Sequence, residues 1–414
     1  MGVGEVEAAL ERVWRADAAS MLGVLARRLG DFDRAEEALQ DALAEAIKHW
    51  TADGVPEQPA GWLVTTAWRR ALDVVRRDNT GRDKLVQLAS APPPAPTGDD
   101  RLALIFACCH PALPTVSRVA LTLYAASGLS TEEIAAAFLV PVPTMAQRLS
   151  RAKRQLRERG VRFEQPDPDE LGGRLPAVLA VVYLVFNEGY LASGRTQPHR
   201  RELAREGLEL ARQLADLMPT EPEAAGLAAL LELHEARAAT RFDGWGRLVL
   251  LEQQDRGRWD RALIGRAVER LRVAVARSEP GPYQVQAGIA AQHALAPSAE
   301  RTDWNAIRGL YDVLIELTPS PVVALNRAVA TRYTDGPAAA LSEVDALAPK
   351  LGEYHLLHAT RAELLRVLGR SDEAAAATRR ALALASNPAE RDLLTRRLSA
   401  AVGEDTAEER VSAR

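Results

Sequence analysis

The sequence predicts an all-α protein built from several helical domains. Its 414 residues exceed what one compact core usually holds, and domains of roughly 100 to 200 residues imply two to four of them. The chain is 47% hydrophobic but only 5% aromatic. It is rich in Ala, Leu, Arg and Glu and lacks runs of β-branched residues, a composition that favours helices throughout.

Several protein classes are disfavoured by the composition. The longest apolar stretch, Ala177 to Phe186, is about half of the ~20 residues that cross a bilayer, and no basic-then-apolar leader opens the chain. Cys108 and Cys109 are the only cysteines and are adjacent, which excludes a disulfide framework. We therefore expect a soluble cytoplasmic protein.

Two proline-rich breaks divide the chain. One runs from Ala91 to Gly98 and the other from Gln165 to Asp169, and neither can be helical throughout. We expect the domain boundaries 1–80, a linker at 81–99, 100–163, 170–402 and a tail at 403–414.

A helix with two opposed faces is predicted from Asp33 to Trp50. The buried face comprises Ala35, Leu39, Leu43, Ala46 and Trp50. The other face is predicted to be exposed and comprises Glu36, Glu37, Gln40, Asp41 and Glu45. Such an acidic stripe repels DNA and suits a basic protein surface, although acidic helix faces are commonly only solvated.

The next predicted helix, Ala60 to Arg77, mixes aromatic rings with cations: Trp62, Trp68, Arg69, Arg70, Arg76 and Arg77. Unpaired bases and backbone phosphates favour this mixture, through stacking and charge. A tryptophan in a helix is nevertheless more often part of the core, so this helix by itself leaves the assignment open.

A helix-turn-helix is predicted from Gly128 to Arg162. Ser130 and Glu133 have the spacing of a capping box, and the stretch Val140 to Pro143 ends this helix. The second helix carries an apolar stripe of Met145, Leu149, Ala152 and Leu156, opposite a polar stripe of Thr144, Gln147, Arg148 and Arg151. The apolar stripe should pack, which leaves the polar stripe free for a ligand.

The second helix is strongly cationic. From Pro143 to Arg162 it has seven basic residues and one acid, Glu158, in a chain whose net charge is -4. We expect Thr144, Gln147, Arg148 and Arg151 to face bases in the major groove. Lys153, Arg154 and Arg157 would hold phosphates. The alternative is a solvated face, with Thr144 and Gln147 forming another capping box.

The last part of the chain is repetitive. Pro321 to Tyr333 pairs with Pro337 to Leu347, and Tyr354 to Leu368 pairs with Asp372 to Ala385, with Gly336 and Gly369 at the turns. The spacing is close to the ~34 residues of a tetratricopeptide-type hairpin. Such arrays present a surface for a peptide or protein, so a protein partner is expected here.

No catalytic or metal-binding motif is predicted. Cys108, Cys109 and His110 lack the spaced ligand pairs of a zinc site, and we expect them to pack. Polar residues beside apolar runs in the third part are predicted to be helix caps and interhelical hydrogen-bond partners. They are Asn187, Glu188, His234, Asp255, Asp260, Gln286, His293 and Asp303. No cofactor is expected, and the chain is not predicted to be an enzyme.

Three stretches resemble RNA polymerase sigma factors of the extracytoplasmic-function (ECF) type: Asp33 to Asp41, Pro59 to Arg77, and Leu129 to Lys153. The first is similar to the family's polymerase-binding helix, which implies that role for Glu36, Glu37, Gln40 and Asp41. The third resembles its reader of the promoter −35 element. The second resembles the family's region that contacts the promoter −10 element. This resemblance implies −10 contacts from Trp62, Trp68, Arg69, Arg70, Asp73, Arg76, Arg77 and Asn79.

The C-terminal part is similar to the long tetratricopeptide-like extension of one ECF subgroup. The stretches that carry this similarity are Val182 to Tyr190, Asp255 to Asp260 and Ser320 to Ala328. The resemblance implies regulation by the extension rather than by a membrane anti-sigma factor. Arg69 and Pro143 stand where the family often has Asn and Gly, so the preferred promoter bases are not implied.

Two other functions remain open from the sequence. One is a DNA-binding regulator that recruits no polymerase and senses a ligand through its helical extension. The other is an enzyme in the C-terminal part with an attached regulatory head, which the lack of catalytic motifs disfavours.

Overall fold

The structure is a computed structural model that describes residues 3–77, 95–138, 140–190 and 201–399. Helices dominate and no strand forms in these ranges, which confirms the predicted all-α class. The chain divides into two compact units, Met1–Val185 and Phe186–Arg414. In the described ranges, no helix has the length and apolarity needed to cross a membrane.

Unit 1 (Met1–Val185) contains seven helices and most of an eighth in its described residues. They are α1 (Val3–Leu29), α2 (Phe32–Asp53), α3 (Pro59–Arg77), α4 (Gly98–Cys108), α5 (Thr115–Ala126), α6 (Thr131–Phe138), α7 (Val142–Glu158) and α8 (Pro168–Tyr190). The last of these continues past Val185 into the second unit.

The start and end of α2 follow from local chemistry. The Asp31 side chain accepts a hydrogen bond from the Arg34 amide, which caps the helix. Gly54 ends it with φ 87°, a conformation that glycine adopts without a Cβ clash. The predicted helix from Asp33 to Trp50 is confirmed, and Trp50 is among the most buried side chains of the unit.

The two cysteines belong to the core of unit 1. Cys108 and Cys109 are free and buried, and the Cys109 Sγ lies 3.4 Å from the Thr122 hydroxyl. Burial raises the pKa of Cys109 to about 11 and the pKa of Cys108 well above its ordinary value. The packing role predicted for them is therefore confirmed, and at neutral pH both remain protonated thiols.

Unit 2 (Phe186–Arg414) is a succession of short helices. They are α9 (Arg201–Leu217), α10 (Pro222–Glu235), α11 (Arg261–Val275), α12 (Pro282–Leu295), α13 (Trp304–Leu317), α14 (Pro321–Thr334), α15 (Pro337–Ala346), α16 (Ala348–Leu351), α17 (His355–Val367), α18 (Ser371–Leu384) and α19 (388–399). Three 3-10 turns, Ala238–Thr240, Leu251–Gln253 and Arg256–Arg258, interrupt the stretch between α10 and α11.

The predicted helix pairs of the last part are confirmed. Gly336 and Gly369 stand at the turns with φ of 93° and 74°, values that suit glycine because it has no Cβ. Leu341 and Val344 on α15 pack with Leu357 and Leu365 on α17 in one apolar cluster.

Three of the predicted helix caps are confirmed. Asp255, Asp260 and Asp303 each accept a hydrogen bond from a backbone amide two or three residues further along the chain. The His293 side chain is half-buried, and its ring meets the Trp304 ring edge-on with 5.2 Å between the centroids. Burial, with the nearby Arg237 and Arg256 charges, lowers its pKa to about 4.

Candidate nucleic-acid interface

The helix-turn-helix of α6 and α7 forms as the sequence predicts. The Ser130 amide donates to the Glu133 carboxylate at 2.7 Å, and the Glu133 amide donates to the Ser130 hydroxyl at 3.1 Å. This reciprocal pair is the capping box that starts α6. Pro141 precedes the first residue of α7. The four residues of the apolar stripe, Met145, Leu149, Ala152 and Leu156, are all buried.

The outer face of the first half of α7 is available to a ligand. The side chains of Thr144, Gln147 and Arg151 are exposed, and Arg148 lies half-buried with its guanidinium 5.9 Å from the centre of the Phe138 ring. Because the apolar stripe is buried on the opposite side, these four side chains share the open face of the helix. Their contacts with bases stay a prediction.

The second half of α7 is engaged within the chain. Lys153 is only 11% exposed and pairs with Glu36 of α2, and its Nζ lies 3.9 Å from the Asp33 carboxylate. Arg157 Nη1 lies 3.1 Å from Asp33 Oδ2 and 3.7 Å from Asp31 Oδ2. Both cations therefore have partners on or beside α2, and the phosphate contacts expected of them stay a prediction. Arg154 stays exposed, 3.8 Å from Glu158.

The acidic face of α2 is also partly exposed and partly engaged within the chain. Glu37, Gln40 and Asp41 are exposed as predicted. Glu36 is not, since its side chain is 17% exposed and accepts hydrogen bonds from the Tyr124 hydroxyl and Lys153. The predicted exposure of Glu36 is corrected, because the helix α7 covers that turn of α2.

The helix α3 carries most of the residues expected to contact the −10 element. The contact expected from Trp68 is corrected. Trp68 is 3% exposed and lies in the core, so it has no ring face to offer a base. Trp62 is half-buried and meets Trp50 edge-on at 5.6 Å between centroids. Arg69 is exposed.

The remaining residues predicted to contact the −10 element are in different environments. Arg70 pairs with Glu45 of α2, with Nε and Nη2 2.9 and 2.8 Å from Oε2, and this hydrogen bond raises the pKa of Arg70. Asp73 is half-buried. The side chains of Arg76 and Arg77, and the whole of Asn79, lie outside the described residues.

Sequence reasoning missed the residues that join α2 to α7. Phe32 and Tyr124 place their rings 5.1 and 4.6 Å from the Lys153 Nζ. Asp31 could have been recognised, because Asp just before an apolar-periodic helix is a capping signal. No local signal marks Tyr124, which lies 88 residues from its partner Glu36.

Unit 2 contains a groove on its helical array. A cavity of about 750 Å³ is lined by residues of α12, α13 and α14, among them Trp304, Asn326 and Tyr333. A second cavity of about 270 Å³ shares Arg332 and Glu363 with it and continues over α17 and α19. Trp304 and Tyr333 stack with centroids 3.9 Å apart. Aromatic and charged side chains therefore line one continuous surface.

Three family profiles match the chain. Residues 13–80 match Sigma-70 region 2, and residues 103–156 match Sigma-70 region 4. Residues 174–275 match a family of unknown function, DUF6596. The first sigma-70 match contains α2 and α3, and the second contains α6 and α7 as far as Leu156. These helices carry the residues predicted to bind polymerase and promoter DNA.

Two kinds of relative are found among known proteins. An uncharacterized protein of Rhizobium meliloti (strain 1021) is 44% identical over 381 residues, covering 89% of this chain and 90% of that protein. A probable ECF RNA polymerase sigma factor, SigI of Mycobacterium tuberculosis, is 28% identical over 156 residues. That alignment covers 35% of this chain and 53% of SigI. No solved structure matches the chain.

Proposed function

Because the chain belongs to the ECF-type sigma factors, with a helical C-terminal extension, we propose that it binds core RNA polymerase and directs it to specific promoters. The observation that carries the proposal is the pair of Sigma-70 region 2 and region 4 matches in that order on α2, α3, α6 and α7. The chain acts here as an initiation factor and not as an enzyme.

The helix α7 reads the −35 element as duplex. Thr144, Gln147, Arg148 and Arg151 share its open face, and this is the side that a recognition helix turns to base edges. Arg can fork to guanine and Gln to adenine in the major groove. Arg154, exposed one turn further on, contacts the phosphate backbone and adds affinity without sequence preference.

The helices α2 and α3 bind core polymerase and the −10 element. Glu37, Gln40 and Asp41 form the exposed acidic surface of α2, which complements a basic protein surface. Arg69 and the half-buried Trp62 on α3 meet the opened strand, where stacking and charge hold unpaired bases. Arg70 keeps its guanidinium on Glu45 and positions α3 against α2.

Reconstituted transcription tests this function. Full-length protein added to core polymerase should produce transcript from a cognate promoter, and the double variant Glu37→Lys with Asp41→Lys should lose both transcript and co-purification with the polymerase. Glu202→Lys, an exposed reversal on α9, is the matched control and should retain both. Active core polymerase that yields no transcript from any genomic template would contradict the proposal, and a DNA-binding regulator would then be the better description.

The C-terminal extension regulates this activity by binding a peptide segment of a partner protein. The groove in unit 2 supports this role, since a cavity of about 750 Å³ adjoins a second of about 270 Å³ and the two form an elongated surface over α12 to α14, α17 and α19. The exposed Asn326 side chain can donate hydrogen bonds from its NH2 group and accept them at its carbonyl oxygen. These groups complement the C=O and N–H of a peptide backbone.

A blocking substitution in the groove tests the regulatory role. Asn326→Arg should fill the cavity beside Trp304 and change promoter output in cells by several-fold. Asn305→Arg is the matched control, because Asn305 is exposed on α13 and does not line either cavity. Equal promoter output from both variants and the unmodified protein would argue against a regulatory groove.

A further inference from the structure

The two cavities of the unit 2 groove meet at a small set of charged and aliphatic side chains. The residues that line both cavities are Leu250, Val329, Arg332, Glu363 and Arg397. Two of the charged residues in this set are arginines and one is a glutamate. The junction of the cavities therefore carries more positive than negative charge.

The glutamate of the junction is already paired with an arginine outside the groove. Arg366 lines neither cavity, and its Nη2 and Nε lie 2.7 and 3.2 Å from the two carboxylate oxygens of Glu363. Burial by itself raises the pKa of Glu363, but the hydrogen bonds from Arg366 and the charges of Arg397 and Arg332 lower this pKa below its ordinary value. Glu363 is therefore ionised at neutral pH, and a two-point contact with Arg366 balances its charge.

The two arginines of the junction share what remains of that carboxylate. Arg332 Nη1 lies 3.4 Å from Glu363 Oε1, and Arg397 Nη2 lies 3.5 Å from Oε2, whereas charge-assisted N–H to O contacts are usually about 2.7 to 2.9 Å long. Among the described residues, no other carboxylate lies within ion-pair distance of either guanidinium. The two side chains are 22% and 31% exposed, so water compensates them only in part.

We propose that Arg332 and Arg397 bind one acidic side chain of the partner peptide, an inference that rests on the peptide-binding role proposed for the groove. A carboxylate between the two guanidinia accepts hydrogen bonds from both and completes the pairing of each. The carboxylate belongs to a side chain within the peptide and not to its C-terminus, because the groove continues on both sides of the arginines.

The two cavities determine which residues flank the acidic one. The smaller cavity is lined mainly by aliphatic side chains such as Leu394, and its Glu390 carboxylate lies 3.1 Å from His355 Nε2. Aliphatic side chains of a peptide fit this part. The larger cavity carries the exposed Glu252 and Glu300, which repel a second acid there. The partner segment therefore has one acidic residue that adjoins aliphatic residues on one side.

Peptide selection with the full-length protein tests this specificity. A random display library of about seven residues, which span about 23 Å when extended, is joined to its carrier at the C-terminus, so that no terminal carboxylate is offered. We expect enrichment of Asp or Glu beside Leu, Ile or Val. Enrichment of basic or uncharged peptides, or no enrichment at all, would overturn the inference.

A change in the peptide alone gives the most direct measurement, since the protein stays unmodified. Replacing the acidic residue of a selected peptide by the corresponding amide should weaken binding about ten-fold or more, because hydrogen bonds between charged groups are lost. Equal affinity of the protein for the acidic and the amide peptide would show that the arginines do not bind the carboxylate.

A change in the protein locates the contact. Arg397→Gln should weaken binding of the acidic peptide about ten-fold and affect the amide peptide much less, and retained binding of the amide peptide shows that the variant is folded. Arg308→Gln is the matched control, because Arg308 is 29% exposed, pairs with Asp335 at 2.6 Å and lines neither cavity. The same loss in both variants would contradict the assignment.

The outcomes distinguish the inference from the functions on which it rests. A groove that binds acidic and amide peptides equally well refutes the acidic specificity and leaves peptide binding intact. A selected peptide that binds in the predicted way but leaves promoter output in cells unchanged supports the specificity and refutes the regulatory role. Failure to transcribe with core polymerase refutes the sigma-factor function alone, since peptide binding is measured on the protein by itself.

Discussion

The ion pairs of the two units differ in how far apart their partners lie along the chain. In unit 1, Lys153 and Glu36 are separated by 117 residues, and Arg157 and Asp33 by 124. In the described part of unit 2 the interhelical pairs span shorter separations, from 15 residues for Arg327 and Asp312 to 54 for Arg270 and Asp216.

The difference reflects two uses of charge. A helical array stacks each repeat on its neighbour, so its ion pairs connect adjacent helices and reinforce one architecture. The pairs of unit 1 join two regions that are each proposed to bind an external partner. The pairs of unit 1 therefore fix two distant regions against each other, whereas those of unit 2 connect elements of one array. Four predictions follow from this contrast, beginning with the largest expected effect.

Acid should destabilise the array of unit 2 through its partly buried histidines. The folded pKa of His293 is about 4, below the ordinary ~6.5, so the unfolded chain binds more protons between these values. Stability is then present above about pH 6.5 and is lost as the pH falls towards 4, by about 3 kcal/mol over the window. Amide exchange of α12 at pH 7.5 and 4.5 measures the loss.

The variant His293→Gln should reduce the pH dependence measured at α12. Some dependence should remain, because burial also lowers the pKa of His234 well below its ordinary value. A slope identical to that of the unmodified protein would show that His293 does not carry the effect.

Removing the buried Lys153 cation should weaken the contact between α2 and α7. Lys153→Met leaves Glu36 without its ion pair, at an expected cost of about 2 kcal/mol. This is below the cost for a fully buried pair, because Lys153 and Glu36 retain 11% and 17% of their exposure. Amide exchange of α7 measures it. Arg154→Met, on the exposed side of the same helix, is the control, and equal effects of both variants would contradict the assignment.

The free half of α7 should determine sequence preference. Arg151→Ala should weaken binding to a −35 duplex by about 1 to 2 kcal/mol and relax the preference for one base. Arg154→Ala should weaken binding to all sequences alike and lower the salt dependence by about one charge. Titrations against duplex variants at two salt concentrations separate the two, and an unchanged preference for Arg151→Ala would count against base contact.

Each exposed ion pair of unit 2 should by itself contribute little to the free energy of unfolding. Arg361 and Asp345 are 30% and 48% exposed, so Arg361→Ala should cost about 0.5 kcal/mol or less. Thermal unfolding of Arg361→Ala, of Asp345→Ala and of the double variant gives the coupling free energy between the two side chains. A coupling above about 1 kcal/mol would show that the pair is more than a surface contact.

The sequence by itself determined the features that depend on neighbours in the chain. The all-α class, the capping box of Ser130 and Glu133, the buried stripe of α7, and the turns at Gly336 and Gly369 all follow from residues within a few turns of one another. Helical periodicity and capping act over that range, so a single sequence is sufficient to predict them.

Only the tertiary structure decided which face of a helix stays open. Glu36 and Glu37 are adjacent and chemically alike, yet only Glu36 is covered, because α7 packs over its turn of α2. Trp68 and Trp62 share one helix, yet only Trp68 enters the core. Lys153 and Arg154 are consecutive cations with opposite fates. For Glu36 and Lys153 the deciding contact comes from another helix and joins residues 117 positions apart, beyond the reach of any local pattern.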